Sequence, residues 1–228
     1  MTALSEARSE VATDRPKLLD LFCGAGGAAM GYYRAGFDVT GVDIERQPRY
    51  PFTFVQADAM TFPLDGFDAI HASPPCQDHS RSHKPREHGT GWMLAAARER
   101  LKAQGTPWII ENVPGAPMRV DYRLCGCMFG LRIAGRMMLA RDRWFETSWA
   151  GYDFRPPCMH DLPIVTVSGT GAGVSHQKVH ATFADWRQLM GIDWMTGAEL
   201  SQAIPPAYTE HIGRMLLEVC REPALRGV

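Results

Sequence analysis

Cys76 lies in a sequence setting that is typical of a reactive cysteine. Pro74 and Pro75 precede it, and each proline ring fixes a backbone φ angle, so the loop presents the thiol in a defined direction. A thiolate is a strong nucleophile and can form a covalent bond with a substrate. We therefore predict that Cys76 is a nucleophile.

The segment that follows Cys76 is polar and basic. Residues 77–91 contain three histidines, two arginines and one lysine. Such a loop can close over an anionic polymer, because cationic side chains pair with phosphate groups. A solvated surface loop has a similar composition, so both interpretations stay open.

Glycines and carboxylates at three positions indicate a nucleotide-like ligand. Residues 23–27 form a glycine-rich turn, which lets a ligand approach the backbone N–H groups at the start of a helix. Asp43 ends the second apolar segment about twenty residues later, where a carboxylate can bind ribose hydroxyls, and Asp58 ends the third. A turn without a ligand and capping aspartates would explain each feature singly. Together the features favour adenosine, and S-adenosylmethionine is the predicted cofactor.

Short apolar segments alternate with helical or loop segments along the chain. Strands are predicted at residues 17–23, 37–44, 52–59, 67–73, 107–113 and 141–149, and helices at 25–35, 89–104 and over most of 183–220. This alternation is typical of an α/β fold with a doubly wound, mostly parallel sheet. Glu111 and Asn112 fall at the carboxyl end of the fifth strand, the edge at which such sheets bind ligands.

The chain is long enough for one catalytic domain with a small addition. We predict four parts: a flexible N-terminus at 1–16, a catalytic S-adenosylmethionine-binding domain at 17–148, a small irregular segment at 149–185, and C-terminal helices at 186–228 that pack back on the catalytic domain. Turn-forming residues and a glycine-rich run in the third part interrupt any helical or strand periodicity.

Composition neither favours nor excludes a nucleic acid as the substrate. The 228 residues carry a net charge of −1, so no overall positive field attracts phosphates, although a basic cleft can be local. The polar first sixteen residues are unlike a secretory signal, and no apolar stretch reaches the length of a membrane span. We expect a cytoplasmic protein that does not bind membranes and whose six cysteines are reduced thiols.

Six short motifs occur in the order found in one family of enzymes. They are DLFCGAGG at 20–27, VDIE at 42–45, QADA at 56–59, SPPCQDHS at 73–80, ENV at 111–113 and RDRWFE at 141–146. The sequence resembles the C5 cytosine-specific DNA methyltransferases over nearly the whole chain after residue 16. Amino-group methyltransferases are similar in the cofactor half, but they carry Asn- or Asp-Pro-Pro-aromatic in place of the cysteine motif.

The resemblance implies a Rossmann-like, S-adenosylmethionine-dependent methyltransferase that acts on double-stranded DNA. In this family the cysteine matched by Cys76 adds to C6 of a flipped cytosine, and the glutamate matched by Glu111 assists at N3. The arginines matched by Arg141 and Arg143 bind cytosine O2 and order the thiol loop. Methyl transfer to C5 is followed by β-elimination, for which water is the expected base.

The resemblance also implies which residues contact the cofactor. These are Phe22, Gly24, Gly26, Asp43, Ile44, Asp58, Pro75 and Gln202. Two positions depart from the family pattern, since Leu139 stands where glutamine is usual and Gln202 where asparagine is usual. The segment 149–185 is short for a target-recognition region, so we expect a recognition site of two to four base pairs, contacted by residues 169–175.

Four residues raise the question of a metal site. Cys125, Cys127, Cys158 and His160 could supply four zinc ligands, but gaps of one residue are tighter than the usual knuckle spacing. Burial of Cys125 and Cys127 as small apolar side chains is the favoured interpretation, and no metal is predicted. His71 lies in an apolar strand and is expected to be a core residue rather than a base.

Three alternatives to DNA methylation stay open. An RNA cytosine methyltransferase of the transfer-RNA type uses nearly the same motifs, although the loop after Cys76 mildly favours DNA. A catalytically silent DNA-binding protein on this scaffold would need neither the thiol nor Glu111. A modified cofactor could also supply a group other than methyl. We expect a monomer in each case.

Overall fold

The computed structural model describes residues 15–75, 91–149, 157–167 and 180–222. The predicted nucleophile Cys76 lies outside the described residues, and so do most of the basic loop after it and the predicted recognition loop 169–175. Of the predicted flexible N-terminus, only Arg15 and Pro16 are described. The Arg15 side chain donates a hydrogen bond to Gly36 O (3.1 Å), and Pro16 O accepts one from Asp38 N (2.9 Å).

A seven-stranded, mostly parallel sheet forms the centre of the molecule. Its strands are β1 (Lys17–Leu21), β2 (Asp38–Asp43), β3 (Thr53–Gln56), β4 (Ala69–Ala72), β5 (Trp108–Asn112), β6 (Tyr122–Leu124) and β9 (Arg143–Thr147). They lie in the order β3-β2-β1-β4-β5-β9-β6, and β9 runs antiparallel to both of its neighbours. The order reverses between β1 and β4, and in such sheets ligands bind at the carboxyl ends of the strands where the order reverses.

Continuous apolar segments explain the two central strands β4 and β5. Every residue of both strands is buried, and Ile70, Ile109 and Ile110 have no exposed surface. A strand that is covered on both faces needs an unbroken apolar sequence, as parallel sheets generally do. Buried polar residues at the ends of these strands interrupt this apolar pattern and therefore indicate a functional role.

Five helices accompany the sheets in the described part of the chain. They are α1 (Gly27–Ala35), α2 (Gly91–Gln104), α3 (Phe183–Met190), α4 (Gly197–Gln202) and α5 (Pro206–Arg221). The N-termini of α3 and α4 are fixed by capping boxes, in which Thr182 pairs with Asp185 and Thr196 with Glu199. No helix within the described ranges has the length and apolar character that crossing a bilayer requires.

Helix α5 packs directly on α1, and the two helices share a buried apolar cluster with β1. The two helices approach so closely that a Cβ atom at Gly31 would lie 2.0 Å from Thr209 Oγ1 and 2.2 Å from Pro206 O. Thr209 Oγ1 also donates a hydrogen bond to Ala28 O (2.8 Å). Tyr208, Ile212, Leu216 and Val219 of α5 join α1 and β1 in one buried cluster.

We expect Gly31→Ala to lower the free energy of unfolding by at least about 1–3 kcal/mol, because the added methyl group forces α1 and α5 apart. Urea unfolding monitored by circular dichroism measures the change. Gly197→Ala is the matched control, since its Cβ would meet only Phe183 ring atoms at 3.6 and 3.8 Å. Equal stabilities of the two variants would show that the helices tolerate separation.

A second, three-stranded sheet supports α3 and α4. Its strands are β7 (Arg132–Ile133), β8 (Met137–Leu139) and β10 (Ile164–Val165), in the order β10-β8-β7. Met137, Leu139, Val165, Trp186 and Leu200 belong to the buried cluster beneath it. The small sheet thus crosses the predicted boundary at residue 149, since β8 precedes this boundary and pairs with β10, which follows it.

The predicted fold class, an α/β protein with a doubly wound and mostly parallel sheet, is confirmed. All six predicted strands are present, with ends that differ by a few residues. The short strands β6, β7, β8 and β10 and the 3-10 helix Gly126–Phe129 were not predicted. Most of them contain only two or three residues, too few to show a periodic pattern.

Candidate active site

The glycine-rich turn after β1 has the shape of a ligand cradle. Phe22 and Gly24 both have left-handed backbones, with φ values of 59° and 49°. Gly24 N donates a hydrogen bond to Asp43 Oδ2 (2.9 Å), which ties the turn to the end of β2. A Cβ atom at Gly24 would meet no described atom within 4 Å, so the space beside this turn is open. Gly26, with φ 85°, precedes α1 and packs against Tyr50.

Asp43 and Asp58 stand at neighbouring strand ends, as predicted. Asp43 Oδ1 accepts a hydrogen bond from Glu45 N (2.9 Å), and Asp58 Oδ1 accepts one from Met60 N (2.8 Å). Each carboxylate oxygen has further acceptor capacity for a ligand hydroxyl or amino group. Ile44 follows Asp43 directly and is 65% exposed, which is unusual for a large apolar side chain.

These residues fit an adenosine-containing cationic cofactor. The open space at Gly24, the exposed apolar surface of Ile44 and the carboxylate of Asp43 match the sugar and base of such a ligand. Asp20 lies beneath the cradle with no exposed surface, and neither of its carboxylate oxygens has a hydrogen-bond partner among the described residues. Burial and the nearby Asp43 and Glu111 raise its pKa, and a positive ligand charge would reverse that effect.

The loop that leads to Cys76 is anchored on both sides. Ser73 N donates to Leu21 O (3.2 Å), and Ser73 Oγ donates to Phe22 O (3.3 Å) in the cradle. Asn112 Nδ2 donates to Pro74 O (3.1 Å) from the end of β5. Pro75 is half-buried beside this contact. The strand ends that form the cradle therefore also fix the direction in which the chain enters the Cys76 loop.

Glu111 and Arg143 form a buried ion pair across β5 and β9. Arg143 Nε lies 2.9 Å from Glu111 Oε1, and the two side chains are 12% and 7% exposed. Within the described ranges, Glu111 Oε1 accepts no hydrogen bond of suitable geometry, so its contact with Arg143 is an ion pair only. The oxygen can therefore still form a hydrogen bond with a ligand. Burial raises the pKa of Glu111, while the charges of Arg143 and Arg141 oppose the rise.

Arg141 is directed to backbone carbonyls of two neighbouring segments. Its guanidinium group donates to Ala203 O (3.0 Å), Ser201 O (2.7 Å) and Val167 O. These bonds connect the chain before β9 to the end of α4 and to the segment after β10. Gln202, the predicted cofactor residue in this region, is exposed at the end of α4. The structure thus brings Glu111 and Arg143 together and gives Arg141 a connecting position.

Sequence reasoning placed Asn112 at the ligand-binding edge without its contact to Pro74, and it missed the supporting roles of Asp20 and Trp194. Asn112 holds Pro74, Asp20 lies under the cradle, and Trp194 Nε1 donates to Ala25 O in the glycine-rich turn (2.9 Å). Asn112 and Asp20 were visible as polar residues within apolar strand segments. Trp194 carried no such signal, because its partner is a backbone carbonyl 169 positions away.

His71 is a buried core residue, as the sequence suggests, with one hydrogen bond. Its Nδ1 lies 2.9 Å from the Tyr32 hydroxyl, and its Nε2 has no partner in the part of the chain that the structure describes. Burial lowers the pKa of His71 to about 3. The ring therefore stays neutral at physiological pH, which makes it unsuitable as an acid.

We expect His71 to make the fold sensitive to acid. Its pKa is lower in the folded chain than in the unfolded chain, so neutral His71 contributes fully to the free energy of unfolding above about pH 6.5. As the pH falls toward 3, this free energy decreases by about 1.4 kcal/mol per pH unit. Urea unfolding at several pH values should show a weaker acid dependence for His71→Gln than for the unsubstituted chain. The raised pKa of Asp20 acts in the opposite direction but is common to both proteins. Parallel pH profiles would contradict the assignment.

Comparisons with known proteins identify relatives of this chain. The family described as C-5 cytosine-specific DNA methylase matches residues 16–120. Two curated relatives come from Herpetosiphon aurantiacus. The Type II methylase M.HgiDII is 30% identical over 115 residues, which are 42% of this chain and 32% of that protein. The Type II methyltransferase M.HgiDI is 31% identical over 131 residues, which are 50% of this chain and 42% of that protein.

A solved structure shows the same fold over most of the chain. The methyltransferase EhMeth of Entamoeba histolytica has a TM-score of 0.61 at 12% identity, covering 91% of this chain and 99% of that one. The matched part of this chain spans well under half the length of the two curated relatives. The cofactor of the matched family is S-adenosylmethionine. Residues 16–120, just under half of the chain, are therefore similar to the C-5 cytosine-specific DNA methylase family.

Proposed function

We propose that the chain is a DNA (cytosine-5)-methyltransferase that acts on double-stranded DNA in the cytoplasm. One observation carries the proposal. Two adjacent residues of β5 make different contacts. The buried carboxyl group of Glu111 pairs with Arg143, and the Asn112 side chain binds the Pro74 carbonyl group just before Cys76. One rigid strand end would then position the Cys76 thiol beside C6, and the Glu111 carboxyl group beside N3, of a cytosine that lies between them.

The Cys76 thiolate forms the first new bond, to C6 of the cytosine. The C5–C6 π electrons then move into the ring toward N3, which takes a proton from the Glu111 carboxyl group. Burial supports this role, since it raises the pKa of Glu111 and so favours the protonated form. The addition makes C5 an enamine-like carbon nucleophile.

Methyl transfer and release complete the reaction. S-adenosylmethionine, when bound, supplies an electrophilic methyl group, and Gly24, Asp43, Ile44 and Asp58 are the residues that would hold it. With Phe22, Gly26, Pro75 and Gln202 they make up the proposed cofactor site. A water molecule then takes the C5 proton, and the bonding electrons re-form the C5–C6 double bond as the Cys76 thiolate leaves. N3 returns its proton to Glu111, which restores the carboxyl group for the next cycle. The base must leave the helix for this chemistry, because both faces of C5 and C6 are covered in stacked DNA.

The two arginines have different proposed tasks. Arg143 contacts cytosine O2 and stabilises the charge that develops on the ring, while its ion pair keeps Glu111 in place. Arg141 is a positioning residue in this proposal, since three of its five N–H groups donate to Ala203 O, Ser201 O and Val167 O. Loss of Arg141 would therefore loosen the attachment of α4 and of the segment after β10.

The segment 149–185 is the proposed target-recognition region, with the catalytic domain at 17–148 before it and the C-terminal helices at 186–228 after it. Residues 169–175 would contact a recognition site of two to four base pairs in the major groove. The protein would act as a monomer. These parts of the proposal rest on the family resemblance and on the short length of the segment.

Transfer of tritiated methyl from S-adenosylmethionine to mixed-sequence duplex DNA and to transfer RNA tests the proposed function. Nucleoside analysis of the labelled polymers should show 5-methylcytosine in the DNA only. Label in transfer RNA alone would replace the proposal with RNA methylation. Absence of label from both polymers, with DNA binding retained, would indicate a silent binding protein.

A further inference from the structure

We propose that Cys125, Cys127, Cys158 and His160 bind one zinc ion in a structural site. Three sulfur atoms and one imidazole nitrogen from these residues all lie within 4.8 Å of one another. The site lies outside the proposed catalytic machinery and does not depend on the proposed function. The placement of the side chains favours a metal over the packing of small apolar thiols that the spacing suggested.

The distances between the four ligand atoms are close to those of a tetrahedral zinc site. Zn–S bonds of about 2.3 Å and a Zn–N bond of about 2.0 Å place the ligand atoms about 3.5–3.8 Å apart. Cys125 Sγ lies 3.4 Å from His160 Nε2, and Cys158 Sγ lies 3.5 Å from the same nitrogen. Cys127 and Cys158 bring their sulfur atoms to 3.1 Å. A small outward movement of one thiol would make room for the ion.

A tight turn explains how residues one position apart can share an ion. Gly126 begins the 3-10 helix Gly126–Phe129, and its Cβ would lie 2.5 Å from Leu139 O. Only glycine allows this approach, so the backbone between Cys125 and Cys127 presses against β8 while both thiols turn to one side.

The burial pattern disagrees with a role as core residues. Cys125 is 2% exposed but belongs to none of the apolar clusters found among the described residues. Cys127 is half-buried, and both Cys158 and His160 are exposed. A thiol pair and an imidazole at the surface have no packing reason to converge. A Cys127–Cys158 disulfide would explain two of the residues and leave the other two unexplained.

Zinc would attach a poorly supported segment to the catalytic domain. Residues 157–163 contain no regular secondary structure, and the strand that follows, β10, has two residues. An exposed ion pair between Arg132 and Asp161 (3.2 Å) is a weak link beside them. Three thiolates and one imidazole suit zinc, because soft sulfur ligands in a tetrahedral set select it. Four protein ligands also leave no open position for catalysis.

Metal analysis of the full chain, purified under reducing conditions, tests the site. Inductively coupled plasma mass spectrometry should find about one zinc per chain. Cys158→Ser and His160→Gln should lose the ion, while Cys220→Ser should retain it. Cys220 is a suitable control because its thiol contacts Asp68 O (3.4 Å) at the far end of α5.

Cobalt substitution provides a second measurement if a variant fails to fold. The unsubstituted chain loaded with cobalt should show the strong visible absorption of a tetrahedral thiolate site, and added zinc should remove it. Absence of zinc and of this absorption in the unsubstituted chain would overturn the proposal. A Cys127–Cys158 disulfide found by mass spectrometry in reducing buffer, or zinc retained equally by Cys158→Ser, would also overturn it.

Discussion

Replacing Cys76 with alanine is expected to lower methyl transfer to cytosine by more than about 10⁴-fold, while S-adenosylmethionine still binds. Without the thiolate no bond forms at C6, so C5 stays too weak a nucleophile to take the methyl group. The cofactor cradle should be unaffected, because Gly24, Asp43 and Ser73 are held by backbone contacts that do not involve the thiol. Single-turnover transfer of tritiated methyl and calorimetric titration of the cofactor measure the two effects.

Cys220→Ser is the control for this experiment, since it removes a thiol far from the cradle in the last helix. Its transfer rate should equal that of the unsubstituted chain. A Cys76→Ala rate within tenfold of the unsubstituted rate would show that another group activates the ring. A covalent complex with DNA containing 5-fluorocytosine should form with the unsubstituted chain, because the C5 fluorine cannot leave as the proton does, and should be absent from Cys76→Ala.

Replacing Glu111 with glutamine is expected to lower the transfer rate by about 10²–10⁴-fold, because the amide cannot transfer a proton to N3. The pH dependence should change as well. Burial raises the pKa of Glu111, so the reactive protonated form is lost as the pH rises through that raised value. The unsubstituted chain should therefore lose activity on the alkaline side, and this decline should be weaker in Glu111→Gln. Single-turnover rates across the pH range measure both changes.

Glu146→Gln is a matched control for the loss of a buried ion pair. Glu146 lies on β9 and pairs with Arg98 (2.9 Å), with side-chain exposures of 3% and 16%, and it has no part in the proposed reaction. Both substitutions should reduce stability by removing a charge from a buried pair. Only Glu111→Gln should reduce the rate of methyl transfer by the correctly folded protein. Equal rates in the two variants would exclude Glu111 as the proton donor.

The central sheet could be predicted because its signals are local. Buried runs such as AIHA and WIIEN need no partner to be recognised as strands, and glycines, carboxylates and prolines mark the strand ends. The positions of Glu111 and Asn112 at the carboxyl edge followed from that assignment. Family resemblance then supplied roles for Glu111, Arg141 and Arg143 that composition and periodicity do not contain.

What could not be predicted depends on contacts between distant residues. Arg141 binds carbonyl groups of Ala203 and Ser201, about sixty positions away, and a carbonyl carries no mark in the sequence. The pairing of Glu111 with Arg143 requires β9 to run antiparallel beside β5, which strand patterns alone do not specify. The approach of Cys158 to Cys127 similarly depends on the parallel pairing of β10 with β8.

The packing of α5 on α1 has a consequence for how the chain folds during synthesis. Helix α1 begins at the cofactor cradle near the N-terminus, yet Tyr208, Ile212 and Leu216 of α5 cover its buried side. A ribosome-bound chain that ends before residue 206 would therefore expose the apolar surface of α1 to chaperones and proteases. The N-terminal half cannot mature ahead of the rest, as independently folding domains do. Cofactor binding is accordingly expected to begin only after α5 has left the ribosome.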